Sequence, residues 1–371
     1  MTSYDMVIVG AGMAGASIAA ELAADMSVLL VEMEDQPGYH ATGRSVAFWV
    51  ESYGGPDIAP LTAASGPLLE QPPGDLSAEG FLTPRGSLHI GRAEDAGVRD
   101  ALIAEFSGRD LFRPVAAEEL QRRITGLRPD WVLGLEEPNT RDIDVARLHA
   151  SYLSAFARRG GRLARRTELQ GAARQAGGGW RLSLTSGEVS AGLLVNAAGA
   201  WADTVARVCG VAPLGIAPFL RTVVQLRVDP PVRDDLPVVI DLNENFYFKP
   251  CGGGRIWLSP HDEKPSPPGD VVPEELDVAI AIDRLQQAVG WRVEAVERKW
   301  AGLRSFAPDR RPVYGRDPAC PDFFWFAGQG GFGIQTAPAA ARLGRWLIAG
   351  GDPDPALTGI DAAFYGPARF T

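Results

Sequence analysis

Apolar residues near the start of the chain fall in two solid blocks, 6–9 and 28–31, the second opened by Ser27, with no polar alternation inside them. Blocks of that kind suit strands buried on both faces. Between them Gly10-Ala-Gly12-Met-Ala-Gly15 closes the first strand, and residues 16–24 read as a helix. The same order of strand, glycine turn and helix returns at 193–201 and 202–209. It returns again where the aromatic block 323–326 runs into the glycines of 328–333, ahead of a helix expected over 334–349.

Between these units the periodicity changes. Residues 56–69 suit a helix stopped at Gln71-Pro72-Pro73, and 81–90 a proline- and glycine-punctuated bend into a strand. Val145, Leu148, Tyr152, Leu153 and Phe156 recur at helical spacing over 142–159, with Asp144 as N-cap and Gly160-Gly161 as the stop. Three short strands, 162–165, 171–176 and 180–184, are expected as an antiparallel meander. Alternation at 221–227, 246–248 and 255–258 predicts an antiparallel sheet, with an amphipathic helix over 274–289 laid on it.

The opening turn carries chemistry. Gly10 permits the tight turn, Gly12 lets a pyrophosphate approach the backbone, and Gly15 lets the helix pack on the strand. Glu32 ends the second strand at the distance where a carboxylate accepts from ribose hydroxyls, and it repels a 2'-phosphate. Dinucleotide binding follows, through a first helix start and a polar second loop in which Thr42, Arg44 and Ser45 donate.

Composition narrows the classes. A chain of 371 residues is long for one core, and 46% apolar with 22% charged residues is ordinary for a globular enzyme. A net charge of -10 opposes binding to nucleic acid or an anionic membrane. Cys209, Cys251 and Cys320 lack the spacing of a metal site or a disulfide framework. No apolar run approaches membrane-spanning length, and no basic-then-apolar leader precedes the first strand, so a cytoplasmic location is expected.

Taken together, the N-terminal fingerprint, 38–53, 195–202, Phe246-Tyr247, 301–306 and 329–336 resemble the FAD-dependent D-amino acid oxidase superfamily, and within it the bacterial D-arginine dehydrogenase group. The resemblance covers nearly the whole chain. It implies an α/β fold: a Rossmann-like FAD-binding domain of the glutathione reductase type, plus an α+β substrate domain with a mixed, largely antiparallel sheet. Residues 1–80, 140–212 and 300–371 are expected in the first domain, 81–139 and 213–299 in the second.

The resemblance also implies roles. Gly10, Gly12, Ala14, Gly15, Glu32 and Met33 would hold the ADP half of FAD. Thr42, Gly43, Arg44 and Ser45 would hold the middle, with Ala198, Gly199 and Trp201 approaching the nucleotide. Gly330, Gly331, Phe332, Gly333, Ile334, Gln335 and Thr336 would meet the flavin, where a positive helix end suits an anionic reduced ring. Arg304 and Arg221 match arginines that clamp the substrate carboxylate, and Tyr53 and Tyr247 match tyrosines that add hydroxyl contacts. Val46 and Gly331 match positions beside the substrate amino group.

Departures from that group bear on the substrate. Ser87 stands where the group has a glutamate for a guanidinium, and Phe48 and Val50 replace a polar histidine and threonine. Neutral, hydrophobic D-amino acids are therefore expected as partners, oxidised by hydride transfer to give a 2-oxo acid and ammonia. Glu51 or Glu244 could supply a replacement acid. The strand 255–258 lacks the lysine that activates oxygen in sarcosine oxidase relatives, which favours a dehydrogenase with a quinone or dye-like acceptor. His40 stands in His-Ala-Thr-Gly, much like a flavin-linking histidine, yet the D-arginine dehydrogenase group has one there without such a bond, so non-covalent FAD is expected. The alternatives are oxidation of a secondary or cyclic amino acid and a protein that binds FAD without catalysis.

Overall fold

The computed structural model describes residues 2–370; Met1 and Thr371, the ends of the expected nucleotide unit, lie outside the described residues. Thr2–Val9, with Met6 to Val9 buried, pairs in parallel with Gly187–Asn196 on one side and Val28–Val31 on the other. Phe323–Ala327, wholly buried, adds in parallel to the far end of Gly187–Asn196. Solid apolar blocks therefore occupy the centre of an eight-stranded sheet. The helices Met13–Leu22, Val145–Arg158 and Ala337–Ala349 bury their apolar sides together against it.

Two expectations are corrected. Residues 162–165 do not open a meander: Arg162–Ala164 runs parallel to Val28–Val31 at the sheet edge. The preceding helix acts as a crossover, which returns the chain to the sheet in parallel. The meander is instead Leu169–Arg174, Trp180–Leu184 and Gly187–Asn196. The last helix starts at Ala337 rather than 334, which places Pro338 in its first turn, where a missing N–H costs nothing.

A second sheet of ten strands is antiparallel except where Val238–Asp241 runs beside Ser87–Arg92. Its spine is the pairing of Ala217–Asp229 with Arg292–Phe306, a strand that runs through the boundary expected at 299/300. One face is apolar: Leu88, Val239, Phe248, Leu258 and Val224 stand in a row across the strands and pack under the helix Glu275–Ala288. The opposite face is free to line a site. A small sheet of Phe48–Trp49, Leu82–Pro84 and Arg141–Ile143 joins the two bodies.

Gly15 is the tightest point of this framework. A Cβ there would lie 1.8 Å from the Gly10 carbonyl oxygen. Gly15→Ala is expected to force helix and strand apart at a cost of roughly 1–3 kcal/mol. It should lower the melting temperature and the visible-to-ultraviolet absorbance ratio of the purified protein. Unchanged values of both would show that the two elements part freely.

Candidate active site

Two cavities meet where the sheets join. The first is lined by Gly10, Gly12, Ala14, Glu32 and Met33 at one end, then by Thr42, Arg44, Ser45, Ala198, Gly199 and Trp201. It ends at Gly330, Gly331, Gly333 and Ile334. Glu32 Oε2 accepts from the Ala11 amide at 2.8 Å, and Thr42 Oγ1 accepts from the Met13 amide at 2.9 Å. Beside them the amides of Gly12 and Ala14 have no acceptor among the described residues. Two donors are thus left beside the cavity at a helix start, an arrangement that suits a pyrophosphate. A Cβ on Gly10, whose φ is +99°, would strike the Ala197 carbonyl oxygen at 2.6 Å.

Not every expected cofactor residue lines this cavity. Gly15 serves the helix contact described above, and Gly43 donates its amide to the Gly38 carbonyl at 2.7 Å. Phe332 is buried against Ile58 and Phe306, and the Thr336 hydroxyl donates to the Phe332 carbonyl. These four shape the turns behind the wall. Gln335 lines the second cavity instead, with its amide bonded to the Val50 amide, the Tyr53 carbonyl and Thr62. Arg44 turns its guanidinium to Asp270 and to the carbonyls of Val271 and Ala301, so it braces the 270–271 strap.

The second cavity has a volume of about 460 Å³ and shares Ser45, Arg304, Gly331 and Ile334 with the first. Pairing register explains its floor. Arg221 stands opposite Gly302, and Arg304 lies two residues further along the same strand face, so the two guanidinium groups are diagonal neighbours. Ile240 stands opposite both Tyr247 and His89, which puts these three in one row on that face. Val46, Phe48 and Val50 close the cavity from the loop above.

Arg304 is only 9% exposed, and no acid or carbonyl among the described residues bonds its guanidinium. Burial, and then the Arg221 charge, push it below the usual arginine range. Arg221, 3% exposed, is partly committed: its Nε donates to the Asp262 carbonyl at 2.8 Å, and its Nη2 to Glu263 at 3.0 Å. Tyr53 lays its hydroxyl over Gly331, where a Cβ would come within 1.9 Å of it. Burial raises the Tyr247 phenol above its ordinary value, which keeps it a hydrogen-bond donor.

Ser87 is a correction. It is fully buried and bonds Thr140 at 2.9 Å, one pleat below His89, and it does not line the cavity. Glu51 is tied to Arg109 and also stands off it, while Glu244 is exposed at the mouth. Sequence reasoning passed over His89 and His261, which both line the cavity, and Glu137 behind the wall. Glu137 accepts from the Glu51 and Ser52 amides and from the Ser52 hydroxyl, and so anchors the turn that carries Tyr53. His261 Nδ1 donates to the Glu244 carbonyl at 2.7 Å, and both residues sit at positive φ. Such left-handed non-glycine pairs gather at functional sites. No local pattern marks these residues, because their placement depends on sheet register.

The profile of the DAO family, described as FAD dependent oxidoreductase, matches residues 5–345. The chain belongs to that family. Glycine oxidase of Pseudomonas aeruginosa is 28% identical over 99% of this chain and 99% of its own length. FAD-dependent oxidoreductase domain-containing protein 1 of Xenopus laevis is 28% identical over 46% of this chain, and the match spans 37% of that longer protein. The crystal structure of glycine oxidase from Geobacillus kaustophilus superposes with a TM-score of 0.85 at 22% identity, covering 100% of this chain and 99% of that one.

The DAO-family chain is therefore an FAD-dependent oxidoreductase, and the glycine cradle, the free amides and the Glu32 carboxylate fit that cofactor. His40 lines the first cavity with Nε2 held by Glu34 at 2.8 Å and its ring against Trp201. No helix among the described residues is long and apolar enough to cross a membrane.

Burial, with the Arg221 charge beside it, pushes His261 down to about 3. Unfolding restores a pKa of about 6.5, so the unfolded chain binds the proton first. The stability this neutral imidazole contributes is complete above pH of about 6.5 and is lost as pH falls toward about 3. His261→Gln should flatten the decline in melting temperature between those limits, most clearly at the upper end, where carboxylates stay ionised. Parallel profiles for the two proteins would refute this.

Proposed function

We propose that this chain oxidatively deaminates neutral D-amino acids with sizeable, mainly apolar side chains. Arg304 carries the reading: a buried guanidinium with no acid bonded to it among the described residues, in the wall common to both cavities. A substrate carboxylate would complete it bidentately, with Tyr53, Tyr247 and the free edge of Arg221 adding donors. That grip orients the α-carbon toward the first cavity, across Gly331 and Ile334. Bound FAD supplies the acceptor for the hydride, and the resulting imine is hydrolysed by water to a 2-oxo acid and ammonia. Segments 1–80, 140–212 and 300–371 would serve the cofactor and 81–139 and 213–299 the substrate, except that 300–306, within the strand Arg292–Phe306, brings Arg304 to the substrate side.

Side-chain choice rests on Val46, Phe48, Val50 and Leu102 above and Ile240 in the floor, all apolar. A cavity of about 460 Å³ has the size of pockets that enclose drug-sized ligands, so glycine would leave most of it unfilled. The D configuration rests on the resemblance to D-arginine dehydrogenases. Likeness to a glycine oxidase along the full chain favours a second reading, oxidation of a small or secondary amine. A bare FAD-binding role would leave Arg304 without purpose.

We further propose that electrons pass to an acceptor other than oxygen, with FAD held non-covalently. Lys249 stands on the cavity face opposite Trp257, yet it lines neither cavity. Asp142 holds its ammonium at 2.7 Å beneath the Phe48 ring.

Anaerobic addition of D-leucine, D-phenylalanine, sarcosine, glycine and D-arginine should bleach the flavin fastest with the first two, and dye reduction should outpace oxygen uptake. Faster bleaching by sarcosine or glycine would install the second reading. Arg304→Met should lower kcat/KM at least about thirtyfold, the equivalent of losing about 2 kcal/mol with one member of a buried charge pair. Wild-type kinetics in that variant would dismiss the carboxylate grip.

A further inference from the structure

We propose that His89, with Glu137 behind it, forms a polar subsite at the far end of the substrate cavity. It would take a hydrogen-bond donor on the substrate side chain: a hydroxyl, an amide N–H or an indole N–H. The proposal rests on the amino-acid reading above and narrows its substrate class. Pairing through Ile240 sets His89 on the cavity face, two strands beyond Tyr247 and thus away from the carboxylate grip. His89 is 7% exposed, and neither ring nitrogen has a hydrogen-bond partner among the described residues; Nε2 is fully enclosed. Buried polar atoms are nearly always satisfied, so an unspent imidazole in a cavity wall points to a ligand.

Glu137 decides which nitrogen is available. It is 1% exposed, and its Oε2 lies 3.9 Å from His89 Nε2, too far for a hydrogen bond but close enough for its field to favour the proton there. Nδ1 is then left with its lone pair, and the Phe112 ring, edge-on at 5.8 Å, steadies the imidazole. Among the other polar groups of the wall, Glu105 and Glu244 are exposed at the rim, and three more are already engaged. Gln335 is saturated as described, the Ser52 hydroxyl bonds Glu137 at 2.6 Å, and the Asn243 amide donates to Asp95 at 2.8 Å. His89 remains the acceptor that a side chain reaching past the β-carbon would meet.

The test compares wild-type and His89→Phe holoenzymes with a dye acceptor on two pairs, isosteric norvaline with homoserine and phenylalanine with tyrosine, which adds one hydroxyl, in the enantiomer that bleaches the flavin. Wild type should favour the donor-bearing member of at least one pair in kcat/KM. That preference should fall roughly threefold to tenfold in His89→Phe, the net worth of one hydrogen bond. His89→Asn, which keeps an acceptor, should recover part of it, and Glu137→Gln should shift the same ratio. A wild type that prefers the apolar member of both pairs overturns the subsite by itself, whether or not any variant folds. Equal ratios in active wild type and His89→Phe overturn it too, while leaving amino-acid oxidation intact. Failure of every amino acid to bleach the flavin overturns the functional reading and the subsite together.

Discussion

An uncompensated cation inside a protein is expensive: even after relaxation, removing one charge from water costs several kcal/mol. Arg304 bears that cost with Arg221 as a diagonal neighbour, so Coulomb repulsion adds to desolvation. A long pairing holds it there. Ala217–Asp229 and Arg292–Phe306 run side by side for most of their length, and Gly302 opposite Arg221 leaves room for the Arg304 Nη1, which a Cβ would approach to 3.2 Å. The strand cannot turn one residue over without moving its whole apolar set to the wrong side. Strain in the binding floor is therefore sustained by the core beneath it.

The same pleat separates stability from chemistry. Along Ser87–Arg92, Leu88 and Ile90 enter the core while His89 faces the cavity. Along Ala217–Asp229, Val224 and Leu226 pack under the helix while Arg221 meets the site. Core packing thereby sets the register, and register sets the distance between functional groups on strands far apart in sequence. The cofactor end obeys a different logic. There backbone amides and glycines do the work, and side chains such as Thr42 and Glu32 hold the turn open from neighbouring loops.

Legibility follows that division. The 10–15 turn, Glu32 and the buried strands around them are local in sequence, so spacing alone pointed to a nucleotide cradle and gave most of the elements near it. Asp144 is likewise a local signal, and its side chain accepts from the Arg147 amide at 3.0 Å. What escaped is non-local. Arg162–Ala164 looks like its meander neighbours, and only the crossover helix sends it to the opposite edge. Ser87 was placed in the cavity by matching positions, but a strand pleat carries it below His89, where Thr140 satisfies it. Arg44 carried a donor's signature, yet Asp270, more than two hundred residues away, claims its charge. The family resemblance, not residue type, singled out Arg221 and Arg304; sheet register decides that they share a face.

Charge balance at the floor then limits what can bind. Arg221, Arg304 and Arg310 face two acids, Asp262 and Glu263. Glu263 bridges Arg221 and Arg310, and the Asp262 carboxylate accepts from the Thr222 amide and hydroxyl. Of these three guanidinium groups, that of Arg304 alone has no bonded acid or carbonyl among the described residues. A single carboxylate neutralises it. A second carboxylate on the same ligand that came to rest among Phe48, Val50 and Ile240 would be unpaired and dehydrated, a costly placement. A ligand without any carboxylate would leave Arg304 buried and bare. On the function proposed above, the floor would accept one carboxylate first, and the remaining wall, apolar at Phe48, Val50 and Ile240 and polar at His89, would then choose among side chains.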